Sequence, residues 1–323
     1  MPRLKEGDER ASLMRIRVVA VWWIACLLWS STFLFIRVGL AEIRPLTLAW
    51  VRLAIALAIL TPIAIVRRDM RTLRSTDVRR VATAGLLLLG VNYALLFWGA
   101  QFIPSGLVAI LQSGTPLLAL AIACFVGQER PTARKVLTLT LGIVGVAVIF
   151  GSEALTSGPA AMTGAAAVFG ASVCVASAYV WMKGYGGRIP PLALTTIQSG
   201  AAVVPLLCVA LLTEGLPAPT HWSRAGCAAV IYLAVAASVI AFGLNYWLLT
   251  RMDASAMLMM GVAEVPIAVL LGAAFLQERL PGGTFVGGTC VLVAVVTGLV
   301  GDARDRIARQ KPGASRPSSV SLN

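Results

Sequence analysis

The chain has 323 residues, 58% of them hydrophobic and only 13% charged, with mean hydropathy +0.85 and a formal net charge of +13. Soluble domains carry about 45–50% apolar and about 25% charged residues, so water is not the main solvent of this chain. Its positive charges lie between apolar blocks rather than in one patch interleaved with aromatics, which argues against a nucleic-acid partner.

The six cysteines fall inside apolar blocks, without metal-ligand spacing or a loop framework for disulfides. The single histidine, His221, lies in a loop, and no apolar block holds an Asp/Glu cluster. Metal-dependent or triad hydrolysis therefore lacks its parts, and no enzyme activity, metal or cofactor is expected.

In chain order, residues 1–17 are polar and basic and are expected as a cytoplasmic tail, and the apolar block that follows is too long for a signal-peptide core and shows no small-residue cleavage site. Apolar blocks of roughly 20 residues, bounded by charge, Pro or Gly, predict helices at about 18–38, 46–66, 81–101, 105–126 and 136–152. Five more follow at about 162–182, 191–213, 225–249, 254–276 and 283–301. Residues 302–323, rich in Arg, Ser and Pro, are expected to be a disordered tail. The fold class expected is an all-α integral membrane protein, because a bilayer leaves free backbone groups without partners and no strand-like alternation suggests a barrel.

With the N-terminus placed in the cytoplasm, 22 of the 27 Lys and Arg fall in cytoplasmic loops and tails. Four, Arg37, Arg44, Arg224 and Arg279, fall on the other side, and Arg52 lies inside the second helix. The bias predicts a multi-pass protein of the cell membrane with both termini cytoplasmic.

Gln128-Glu129-Arg130 recurs as Gln277-Glu278-Arg279 at an offset of 149. Ser105 and Pro116 return as Ser255 and Pro266 at 150, and Arg37 and Pro45 as Lys183 and Pro191 at 146. The chain therefore reads as two five-helix repeats, 18–152 and 153–301. Five is odd, so the second unit enters the membrane from the opposite side and the repeats are inverted, the arrangement from which alternating access arises.

Over roughly residues 18–301 the sequence resembles the EamA-type transporters of the drug/metabolite transporter superfamily. Leu28-Trp29-Ser30-Ser31-Thr32-Phe33, Pro45 with Val51-Arg52-Leu53, Ile103-Pro104-Ser105-Gly106 and Gln128-Glu129-Arg130-Pro131 carry it in the first half. Asp253-Ala254-Ser255-Ala256, Glu264-Val265-Pro266-Ile267-Ala268 and Gln277-Glu278-Arg279-Leu280 carry it in the second. The resemblance implies ten helices around a solute pathway and a substrate among amino acids, other metabolites or toxic compounds, frequently exported.

An ionised side chain at the bilayer centre costs at least about 2.5–3.5 kcal/mol and needs a partner, a wet cavity or neutralisation. Arg52 lies roughly 9 Å into its helix, and Glu264 roughly 15 Å into its own, at about 1.5 Å per residue. Arg52 either meets solute or braces neighbouring helices; Glu264 either couples protons, binds a substrate ammonium or is a hydrogen-bonded structural carboxyl. Gln198 is the repeat partner of Arg52, and Asn92, Tyr93, Gln112, Tyr179, Asn245 and Tyr246 add polar groups inside apolar blocks. Trp29, Phe33, Phe97 and Trp247 are candidate cavity walls, Trp22 and Trp23 an interfacial belt, and Pro116 and Pro266 equivalent kinks.

No Gly-rich phosphate loop couples the chain to nucleotide hydrolysis, so a secondary carrier of a small solute, an exporter with Glu264 as its proton-coupling candidate, is the leading expectation. A channel and a transport-inactive scaffold or sensor remain the alternatives, and homo-oligomerisation is left open.

Overall fold

The computed structural model describes residues 2–69, 73–129, 132–183, 189–217, 222–249, 251–252 and 254–310. Arg130, Pro131, His221, Asp253 and residues 311–323 lie outside the described residues, as do the side chains of Tyr246 and Ser255. The described chain is helical throughout, without strands.

The helices are α1 (Pro2–Leu40), α2 (Pro45–Val66), α3 (Ser75–Gly85), α4 (Asn92–Gly99), α5 (Ser105–Ser113), α6 (Thr115–Phe125) and α7 (Ala133–Thr156). Then come α8 (Gly158–Met182), α9 (Pro191–Thr213), α10 (Arg224–Ile231), α11 (Ala241–Leu249), α12 (Ala254–Leu276) and α13 (Gly282–Gln310). Two π-helical segments, Leu86–Val91 and Tyr232–Ile240, join α3 to α4 and α10 to α11 without a break. Among the described residues eight helices are long and apolar enough to cross a membrane, from Ile16–Leu40 to Arg224–Asn245. Two shorter apolar helices, Met260–Leu276 and Gly282–Thr297, come after them.

Helix α1 begins at Pro2 and so takes in the expected tail, while its membrane-crossing part, Ile16–Leu40, starts near the expected residue 18; α13 runs on to Gln310, past the expected start of disorder at Asp302. The physical reason is local. Asp302 with Arg306, and Asp305 with Arg309, stand four apart with the acid first, the order that supports a helix, and the N-terminal stretch is rich in strong helix formers.

Helices of the first half pack chiefly on helices of the second: α2 on α9, α4 on α8, α7 on α13, and α1 and α5 on α12. Lipid tails are as apolar as Leu, so close van der Waals contact rather than expulsion of water holds such interfaces. Small residues allow that approach. A Cβ on Gly99 would stand 2.6 Å from the Gly164 carbonyl oxygen, and one on Gly145 would stand 2.7 Å from that of Gly287. The core around Leu48, Leu53, Phe97, Ile103 and Leu107 lies between the halves.

Candidate functional site

Helix α2 starts with Pro45 at its first turn, where a missing N–H costs nothing. Its next two amides, Leu46 and Thr47, donate to the Glu214 carboxylate at 2.8 Å each, and the Thr47 hydroxyl donates to the same group at 2.7 Å. This carboxylate, at the far end of α9, fixes α2 so that Arg52, two turns in, points to the interior with only 3% of its surface exposed. Arg52 Nη2 donates to Ser238 Oγ at 3.0 Å, while its guanidinium carbon stands 4.8 Å from the Tyr93 ring centre and 5.7 Å from that of Phe97. Such stacking stabilises a desolvated guanidinium. Among the described residues no carboxylate pairs with Arg52.

Ser238 reaches Arg52 because of the π-helical segment Tyr232–Ile240. Its hydroxyl donates to the Leu233 carbonyl, five residues back, at 2.9 Å, the spacing of the wider π turn. The oxygen is left to accept from Arg52.

Arg52 and Glu264 line one cavity of about 200 Å³, together with Gln112 and Thr32. Trp29, Phe33, Tyr93 and Phe242 supply its aromatic walls. Glu264, on α12, has no hydrogen bond or ion pair among the described residues, and Cys26 and Tyr179 lie within electrostatic range of it. Gln112 accepts from Ser172 at 3.0 Å, which holds its amide in the wall. The cavity thus presents a guanidinium and a carboxyl group to the same small space with no ion pair between them.

Four expected pathway residues do not line this cavity. Gln198 is buried against Gly85 on the α3–α9 contact, and Asn92 donates to the Leu88 carbonyl at 2.8 Å within its own helix. Tyr179 leaves 58% of its surface exposed, and Asn245 is half-buried on α11 away from the wall. Pro116 comes just after a break at Gly114 between α5 and α6, whereas Pro266 lies inside the uninterrupted α12. Ser238, Thr32 and Phe242 were not among the expected site residues. Ser238 has no sequence signal beyond a lone hydroxyl in an apolar run, because the π turn that aims it leaves no compositional trace.

At the end of the bundle where α2 begins, carboxylates cap helices of the opposite half. Besides Glu214 on α2, Glu42 accepts from the Ser223 amide and hydroxyl at 2.8 and 2.7 Å, at the start of α10. Glu278 accepts from the Ser105 amide and hydroxyl at 2.8 and 2.6 Å, at the start of α5. A carboxylate on exposed helix N–H groups meets both the orphan donors and the positive end of the dipole. Ser223 holds the exposed Glu42 carboxyl below its usual range, chiefly through its hydroxyl.

Arg37 adds an ion pair to Glu278, Nε to Oε1 at 3.9 Å, and donates to the Ala100 and Gln101 carbonyls at the end of α4. At the other end, Lys183 pairs with Glu129 at 3.0 Å and Lys135 with Glu129 at 2.7 Å. Lys135, and after it Lys183, hold Glu129 below the usual carboxylate range. Arg37 and Lys183 are repeat equivalents, as are Glu278 and Glu129, so a similar cross-half ion pair stands at each end.

A second cavity, a vestibule of about 530 Å³, opens at the end where α2 finishes and α9 begins, lined by Leu60, Arg67, Asp69, Pro190 and Thr195. Phe242 belongs to its wall and to that of the central cavity.

The EamA-like transporter family model matches residues 17–151 and again 162–299. A probable amino-acid metabolite efflux pump of Salmonella typhimurium is 23% identical over 88% of this chain and 96% of its own length. A probable terminal-alkyne amino-acid exporter of Streptantibioticus cattleyicolor is 27% identical over 86% of this chain and 92% of its own. A solved crystal structure shares the fold at a TM-score of 0.60, with 20% identity, covering 89% of this chain and 98% of that one. Matched twice over nearly its whole apolar length and built of membrane-crossing helices, the chain is a multi-pass membrane protein that belongs to the EamA-like transporter family.

Proposed function

We propose that this protein is a secondary transporter that exports a small zwitterionic metabolite of the amino-acid type by alternating access. The observation that carries the reading is the shared cavity of Arg52 and Glu264, each without an ion-pair partner among the described residues. An isolated charge in a bilayer is costly, and a solute carrying a carboxylate and an ammonium relieves both costs at once. Arg52, with one edge held by Ser238, offers its fork to the carboxylate, and Glu264 takes the ammonium. A cavity of about 200 Å³ is small among ligand sites, which favours a small solute. The names of the two relatives, a probable amino-acid metabolite efflux pump and a probable terminal-alkyne amino-acid exporter, agree with this class and direction.

In this reading α12 and α13 complete ten crossings, the halves are inverted by the parity of five, and both termini face the cytoplasm. Glu264 alternates between substrate ammonium and a proton, which couples export to the proton gradient. Purified protein in liposomes loaded with a small unlabelled α-amino acid is expected to take up the radiolabelled one by counterflow. The same compound lacking either its amino or its carboxyl group should compete poorly; equal competition by either analogue would refute the two-ended site. Glu264→Gln is expected to weaken counterflow and to abolish the response of what remains to an imposed pH gradient, and an unchanged response would remove the proton from the mechanism.

A further inference from the structure

The central cavity and the vestibule share one lining residue, Phe242. Its neighbours divide between them: Ala237 faces the central cavity, while Val239 and Gly243 face the vestibule. The ring is half-buried and stands edge-on to Trp29, 6.2 Å between centres at 73°. A Cβ on Gly243 would meet nothing within 4 Å, so the helix face next to Phe242 on the vestibule side is open. We propose that Phe242 is the partition between the two cavities and sets the largest solute side chain that passes from vestibule to binding cavity. This goes a step beyond the transport reading and rests on it for the passage of solute, though not for the partition.

The π-helical segment immediately before Phe242 supplies a means of moving it. A π turn holds one residue more than an α turn, and passing that surplus along the helix rotates the residues beyond it by about 100°. Ser238 belongs to the same segment and bonds Arg52. Arg52 keeps its bond to Ser238 while its fork holds a solute carboxylate, so a shift of the guanidinium on binding is passed to the π segment, and occupation of the cavity and the position of Phe242 are linked. The bulk of residue 242 then acts as a filter, and its chemistry beyond bulk matters little.

The partition is tested with a thiol reporter, Thr32→Cys in the central cavity, in a background whose six native cysteines are replaced. Labelling by a small and a bulky water-soluble thiosulfonate, applied from the vestibule side, is compared across wild type, Phe242→Ala and Phe242→Trp. The expected result is at least tenfold faster labelling by the bulky reagent in Phe242→Ala, little change for the small one, and slowing of both in Phe242→Trp. Rates indifferent to residue 242 would overturn the proposal. Should Phe242→Ala not insert, Phe242→Leu carries the same comparison with apolar contact to Trp29 retained. Counterflow with amino acids of increasing side-chain size completes the test: the accepted size should rise in Phe242→Ala, and an unchanged cut-off would overturn the filter. Labelling that tracks residue 242 in a protein with no flux of any solute supports the partition and removes the transport reading instead.

Discussion

Arg52 shows how a charge is made usable inside a membrane: one edge bonds Ser238, two rings stack on the guanidinium, and the remainder faces a cavity. Lysine keeps the charge but loses the fork and the stacking, so Arg52→Lys should lower counterflow at least tenfold in a protein that still purifies as a single species. Ser238→Ala tests positioning separately. A hydrogen bond to a charged group contributes about 1.5–3 kcal/mol, so KM should rise roughly tenfold or more with kcat little changed, and Ser238→Thr, which keeps the hydroxyl, should restore it. A kcat loss without a KM rise, unrescued by Thr, would argue that the serine acts elsewhere. Arg52, Glu264, Gln112 and Trp29 were legible from the sequence because a polar or bulky side chain in an apolar run stands out. The facing of Gln198, Asn92, Tyr179 and Asn245 was not, since helices apolar on all sides have no stripe to show which way a residue points.

The helices themselves were largely written in the sequence, because bilayer thickness fixes their length and charged or Pro/Gly punctuation their ends. Deviations from the α form were not. The two π-helical segments begin at Leu86 and Tyr232, 146 residues apart, the offset that relates Arg37 to Lys183. Only comparison of the two repeats in three dimensions reveals them as equivalents. Tight packing was not legible either. Gly145 and Gly287 could not be matched as partners without the fold. A Cβ on Gly287 would stand 2.5 Å from the Gly145 carbonyl oxygen, 2.7 Å from Ile149 Cγ1 and 3.0 Å from the Ile149 amide nitrogen, so two of the three nearest atoms are backbone that cannot swing aside. Gly287→Ala should therefore cost about 1–3 kcal/mol, read as a lower thermal midpoint in detergent. Gly151→Ala, in open space on α7, should leave the midpoint unchanged or raise it slightly. Equal effects of the two would count against the α7–α13 contact as a structural seam.

The whole molecule joins its halves at both ends by charges drawn from equivalent places. The end with Glu42, Glu214 and Glu278 is held by capping bonds as well as by Arg37, while the vestibule end relies on Glu129 with Lys135 and Lys183. Glu42 and Glu129 have carboxyls held below the usual range, so their contacts stabilise the fold above the ordinary carboxylate value of about 4.3 and are lost only as pH falls through the lower folded value. Thermal midpoints at pH 7 and pH 5 should thus differ little on account of these two ends, and a large drop by pH 5 that Glu129→Gln abolishes would contradict that assignment. The ends should also alternate. Cysteines in place of Arg37 and Glu278, bridged by a short bifunctional thiosulfonate, should stop counterflow yet leave the Thr32→Cys reporter open to labelling from the vestibule. The same bridge between residues 129 and 183 should stop counterflow and slow that labelling. Counterflow that survives both bridges would mean that the halves do not part at these ion pairs. Reciprocal effects of the two bridges on accessibility, with equal loss of transport, are what the proposed alternating access requires, because under it each end opens while the other stays closed.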